Sequence, residues 1–459
     1  MRTNYKEILS ASDKNDSDRV SIWTAAGWGF GSMATSTMLN APTAALLFFL
    51  VTIVKLDPLI VGGLIFAGKI LDVLTDPPIG SLSDKTRSRF GRRRPWLLGS
   101  SFVCGLSFAL LFNIPELSDV GSYIYIAFAL GFFAIAYTTF QVPYMAMPTE
   151  MTDDYHQRTM IMSWRVVFMS VGNVVGTGGF AALAKNLGGG SQGYGDAAIY
   201  FGVFISLAMF LTFFFTKNTR QTEATPGNKK ISIHQHITWL KLNKPLMILM
   251  AAKIGIFLGV FASLTTALFF FKSLLKLDEQ TFFMVFGLQM VTSILFIPAC
   301  NWIAKWIGKK PAYIISLLGF CIIVASWLFA EPNEPTPLLL IRAVLLGIFG
   351  AGAHLYGQSM LVDTFALDHR LTGERREGVL AASFSFVEKG CAALAPLIVG
   401  ALLSGMGFNK ELDPIADQPP SAIQAIYIGF IWIPIACQLL VVFLLQFYHL
   451  TEKDLQEVD

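Results

Sequence analysis

"AGKILDVLTDPPIGSLSDKTRSRFGRRRPW" (residues 67–96) begins as an apolar stretch and ends as a run of cations. Asp72 and Asp76 lie four residues apart inside the apolar part, with Lys69 just ahead of them. That spacing puts both carboxylates on one face of a helix. The chain around them has 459 residues, 54% hydrophobic and 14% charged, against roughly 25% charged in a soluble domain. Twelve apolar stretches recur along it, from 22–51 to 422–448, each long enough as a helix to cross the roughly 30 Å of bilayer hydrocarbon. The pattern predicts an all-α polytopic membrane protein with twelve transmembrane helices. It also sharpens the question set by the second helix. An ionised acid at mid-bilayer costs about 2.5–3.5 kcal/mol even on a lenient scale, and a like charge one turn away adds repulsion. A cation shared by both carboxylates, or a proton on one, relieves both costs. A structural ion pair of either acid with Lys69 or Lys389 is the competing explanation.

The polar segments between the stretches set the topology. Alternate loops on the side of the termini hold 24 Lys and Arg, and the other loops hold 5. Positive loops stay in the cytoplasm, so both termini are expected there. The first twenty residues lack a small-residue cleavage site, so the first helix is expected to act as its own insertion signal. The net charge of +3 follows from this loop bias and gives no sign of nucleic-acid binding. All five cysteines (Cys104, Cys300, Cys321, Cys391, Cys437) fall in apolar stretches at unrelated spacings and read as packing residues.

A duplication is visible in the loops. "RFGRRRPW" (89–96) follows the second helix and "WIGKKPAY" (306–313) follows the eighth, placing Gly91 and Gly308 217 residues apart. Arg158 in "MTDDYHQRT" and Arg375 in "LTGERREGV" are separated by the same 217. The expected organisation is a six-helix bundle over 1–216, a polar linker over 217–245 and a second six-helix bundle over 246–459, in parallel orientation as in major facilitator transporters. No GxxxxGK[ST] loop is present, so ATP is not expected to power this chain. "GWGFGS" (27–32) and "GNVVGTGG" (172–179) lie inside membrane stretches, where small residues serve close helix packing.

"LDVLTDPPIGSLSDKTRSRFGRRRPW", "YTTFQVPYMAMPTEMTDDYHQRT" (137–159), "NKPL" (243–246) and "LVDTFALDHRLTGERREGVLAASFSFVEKG" (361–390) together resemble the glycoside–pentoside–hexuronide:cation symporters, the melibiose permease family of the major facilitator superfamily. The resemblance implies that Asp72 and Asp76 bind a coupling Na⁺, Li⁺ or H⁺ with help from Thr138; Thr75 can lend a further oxygen. It implies no other cofactor, and it places Lys389 beside the cation and sugar sites. Glu388 reads as a local counter-charge to Lys389.

On the solute side the resemblance is looser. "GSMATSTMLNAP" (31–42) has no acid where the melibiose permeases carry one, and Gln141 stands where they have a second aspartate. Met145 replaces an aromatic, with Tyr144 adjacent; His354 replaces a tryptophan; Arg165 lies one residue from a sugar-binding arginine. Gln141, Tyr144, Arg165, His354 and Lys389 are therefore the candidate solute contacts, for a sugar, glycoside or uronic-acid derivative that need not be an α-galactoside. At the helix ends, Asp84 with Arg92 and Arg93, Glu150 with Arg158, and Asp363 with Arg375 and Glu377 read as gating salt bridges. Positive-inside topology and contact with anionic lipid headgroups are their simpler reading. The whole predicts a secondary symporter for a small-molecule solute, functional as a monomer in a bacterial inner membrane. A lysophospholipid carrier of the same fold and a non-transporting membrane sensor are the alternatives; no HExxH or GxSxG motif supports an intramembrane enzyme.

Overall fold

A computed structural model describes residues 20–152, 155–217, 219, 243–372 and 377–450. Among these residues twelve helices are long and apolar enough to cross a membrane. They are α1 (Ile22–Ile53), α2 (Pro58–Lys85), α3 (Arg94–Phe112), α4 (Asp119–Ala146), α5 (Met160–Asn186), α6 (Gly190–Thr216), α7 (Lys244–Leu274), α8 (Glu279–Ile307), α9 (Lys309–Phe329), α10 (Thr336–Leu361), α11 (Phe386–Gly405) and α12 (Pro420–Gln446). Three are parts of longer helices, because α5 is preceded by helix from Tyr155, α10 continues to Thr372 and the helix of α11 begins at Glu377. The expected linker 217–245 falls mostly outside the described residues.

Short polar side chains start several of these helices by accepting otherwise orphaned backbone N–H groups. Ser118 accepts from Gly121 before α4, and Asn243 accepts from Leu246 at the start of α7. Asp57 takes the N–H groups of Leu59 and Ile60 before α2, and Asp278 takes that of Thr281 before α8.

The chain forms two compact units. The first comprises residues Met1–Pro42 and Leu71–Gly227; the second comprises Thr43–Ile70 and Asn228–Asp459. The division passes through α1 and α2, a feature that chain order alone does not reveal.

Glycines let helices in each unit approach backbone to backbone, as membrane packing favours. In the first unit a Cβ on Gly202 of α6 would lie 2.6 Å from the Gly105 carbonyl oxygen of α3. "GWGFGS" and "GNVVGTGG" have the packing role expected of them: Gly31 receives the Tyr144 ring, while Gly172 and Gly176 lie against Met33 and Thr37 of α1. Asn40 Nδ2 donates to Asn173 Oδ1 at 2.9 Å across that α1–α5 contact. In the second unit Gly347 of α10 meets the Gln289 carbonyl of α8, and Gly259 of α7 meets Pro434 of α12. All five cysteines are free, four of them buried.

The duplication extends beyond the two loops that signalled it. Gly91 and Gly308 both adopt positive φ, 87° and 85°, a region open to glycine and costly for other residues. "KLDP" (55–58) and "KLDE" (276–279) also match in structure. Each follows a π-helical turn, Phe49–Ile53 and Phe270–Leu274; each lysine takes a positive φ, and each aspartate caps the next helix.

Candidate functional site

Asp72 and Asp76 come one turn apart on α2, and Thr138 of α4 meets both. The Thr138 hydroxyl lies 2.6 Å from Asp72 Oδ1 and 3.2 Å from Asp76 Oδ1. Asp72 is 5% exposed, Thr138 is fully buried and Asp76 is half-buried. Thr75 Oγ1 lies 3.3 Å from Thr138 Oγ1 and donates back to the Leu71 and Asp72 carbonyls, each at 3.0 Å. Pro77 and Pro78 follow directly. Lacking N–H groups, they cannot donate to the carbonyls of Val73 and Leu74, which sit beside the acids.

Proton counting shows what this arrangement can do. A threonine hydroxyl carries one proton, and the shorter contact assigns it to Asp72. The groups that meet here, Asp72, Asp76, Thr75 and Thr138, all present hard oxygens. No set of three or more His, Cys, Asp or Glu gathers among the described residues. Such a donor set fits a monovalent hard cation or a proton, and does not suit a soft transition metal.

Gln141 lies three residues beyond Thr138, on the same face of α4. Its Oε1 is buried without a hydrogen-bond partner, and so is Nε of Arg165 on α5. An unmet buried polar atom costs about 1–3 kcal/mol, which an arriving solute hydroxyl can recover. Tyr144 departs from the expectation. It is fully buried, stacks on Trp28 at a centroid distance of 4.4 Å and donates to the Trp28 carbonyl at 3.1 Å. Gly31 opens the space that its ring fills, so Tyr144 packs α4 on α1 instead of facing a solute.

His354 and Lys389 belong to the second unit; His354 is exposed and Lys389 half-buried. Sequence reading missed Lys253 of α7, which is buried and pairs with Glu388 of α11 at 3.3 Å. The signal was a lone lysine in the apolar run "LMAAKIGIFLG" (249–259). His354 is close enough to interact electrostatically with both.

The expected gating residues are redistributed. Arg92 and Arg93 both hold Glu150, at 2.7 and 3.0 Å; Arg93 also pairs with Asp84 and donates to Ser83 Oγ at 2.7 Å. All of these residues lie in the first unit. The loop arginines occupy Glu150, and Nε of Arg158 donates to the Thr152 carbonyl at 2.8 Å. Asp363 pairs with Lys309 at 2.7 Å. Lys309 is brought there by the turn at Gly308, which ends α8 and starts α9. Arg375 and the side chain of Glu377 lie outside the described residues.

Comparison with known proteins agrees with this architecture. The family model described as MFS/sugar transport protein matches residues 27–452. The uncharacterized symporter YnaJ of Bacillus subtilis (strain 168) is 27% identical, over 95% of this chain and 93% of its own. The putative glycoside/cation symporter YagG of Escherichia coli (strain K12) is 26% identical, over 94% and 93%. Among solved structures, the nucleoside transporter NupG superposes with a TM-score of 0.62 at 11% identity, covering 93% of this chain and 100% of NupG; that likeness is one of fold.

Proposed function

Because the chain belongs to the MFS/sugar transport protein family, we propose that it is a symporter in which downhill entry of Na⁺ or H⁺ drives uptake of a sugar, glycoside or uronic-acid derivative. It acts by alternating access in a bacterial inner membrane, with both termini cytoplasmic, and works as a monomer. Membership of a transporter family sets aside the sensor and intramembrane-enzyme readings. The observation that carries the proposal is the Thr138 hydroxyl lying on Asp72 and Asp76 together.

Coupling follows from the geometry of α4. Two ionised carboxylates one turn apart repel, and a cation between them relieves that repulsion. An entering cation is shared by both acids and by the hydroxyl oxygens of Thr138 and Thr75, which fixes α4 against α2. Gln141 lies on the next turn of α4, so fixing the helix also orients the amide that meets the solute. Ion and solute then raise each other's affinity by the same factor, with typical site-to-site couplings of about 5–150-fold. The unmet Gln141 Oε1 and Arg165 Nε supply an acceptor and a donor for hydroxyl or carboxylate groups.

The test is uptake into membrane vesicles under separately imposed Na⁺ and H⁺ gradients, with a panel of sugars, glycosides and uronates. One gradient should drive accumulation of at least one solute, and Asp76→Asn should abolish accumulation while the protein remains inserted. Full accumulation by Asp76→Asn would refute the assignment.

A further inference from the structure

The second unit holds a charge pair that the ion site does not use. Lys253 stands nine residues into the helix beginning at Lys244, and Glu388 eleven residues into the helix beginning at Glu377. At 1.5 Å per residue both are about 15 Å from their helix starts, well inside the span. The ammonium of Lys253 is enclosed. Its side chain is 3% exposed, with Nζ 2.9 Å from the Phe384 ring centroid, 4.6 Å from that of Phe257 and 3.3 Å from Glu388 Oε2.

Its partner is not enclosed, for the side chain of Glu388 is 46% exposed. A half-exposed carboxylate at this depth could not face hydrocarbon without the cost of an unshielded membrane charge, so Glu388 faces water. His354 of α10, also exposed, is the neighbouring polar group from the next helix. The pair therefore presents only its acidic end to an incoming molecule. The lysine behind it fixes its direction, and a carboxylate accepting one donor retains capacity for about three more.

Resting on the symporter reading above, we infer that Glu388 is a solute-binding carboxylate that accepts hydroxyl hydrogen bonds from a neutral sugar or glycoside, with Lys253 as its positioning residue. This narrows the solute class. A negative acceptor with its counter-charge buried complements two adjacent hydroxyls and repels a uronate.

The experiment uses full-length protein in vesicles and, as probes, methyl β-D-xyloside, methyl α-D-glucoside, methyl α-D-galactoside and D-glucuronate. Wild type should take up at least one neutral glycoside in preference to glucuronate. Glu388→Gln should raise the KM for that glycoside tenfold or more, leaving the ion concentration for half-maximal uptake unchanged. Because Glu388→Gln leaves Lys253 unpaired and can impair folding, Lys253→Met combined with Glu388→Gln provides a variant without the buried charge. The double variant should keep the melting temperature of wild type and still show the raised KM. Wild-type KM in the folded double variant, or a wild-type preference for glucuronate, overturns the inference and leaves cation-driven symport standing. Failure of wild type to accumulate any probe or other panel solute under either gradient overturns the symporter reading, and this inference with it.

Discussion

Replacing Thr138 by valine keeps the shape of the side chain and removes one hydroxyl from the proposed ion site. That hydroxyl donates to Asp72 at 2.6 Å and touches Asp76 at 3.2 Å. Thr138 is fully buried, so water cannot take the place of the lost donor. A hydrogen bond to a charged group contributes about 1.5–3 kcal/mol, which at 1.36 kcal/mol per tenfold is a factor of about 10–150 in ion affinity. The assay is initial solute uptake in vesicles as a function of the driving ion, with the melting temperature in detergent as a folding control. Thr138→Val should raise the half-activating ion concentration by that factor, and Thr138→Ser, which keeps the hydroxyl, should restore it to within a few-fold of wild type. An unchanged ion dependence in folded Thr138→Val would refute the argument that this hydroxyl is part of the site.

Two further perturbations probe the scaffold. Glu150→Gln leaves Arg92 and Arg93 without the carboxylate they share; breaking such a low-exposure network costs about 3–5 kcal/mol, so the melting temperature in detergent should fall, and an unchanged one would mean the cluster contributes nothing to stability. Gly202→Ala places a Cβ 2.6 Å from the Gly105 carbonyl oxygen, whereas Gly99→Ala meets no atom within 4 Å. The first should sharply reduce the yield of folded protein and the second should leave it unchanged; equal yields would contradict the α3–α6 crossing described here.

The fold was legible in the sequence because hydrocarbon imposes its length on every helix, and the paired carboxylates because two acids four residues apart share a face wherever the helix lies. Charge partners across the bundle were not legible. Lys389 follows Glu388 directly in the chain, and adjacent side chains on a helix diverge; the partner that Glu388 meets is Lys253, 135 residues away. The loop arginines Arg92 and Arg93 reach Glu150, and Lys309 reaches Asp363, pairings that nearness in the chain does not point to. Tyr144 occupies a promising position on α4, but its direction is set by Gly31 on another helix. The matching "KLD" turns at 55–57 and 276–278 were present in the sequence, but they are separated by a few residues more than the loop glycines and so fell outside the offset that revealed the duplication.

The most direct measurement is the solute-evoked electrical current of proteoliposomes adsorbed on a solid-supported membrane, compared between wild type and Asp76→Asn. If the two acids carry the coupling ion, a transported neutral glycoside evokes inward current in wild type and none in Asp76→Asn, while exchange of labelled for unlabelled glycoside persists in both. Current of wild-type size in Asp76→Asn would show that the driving charge enters elsewhere.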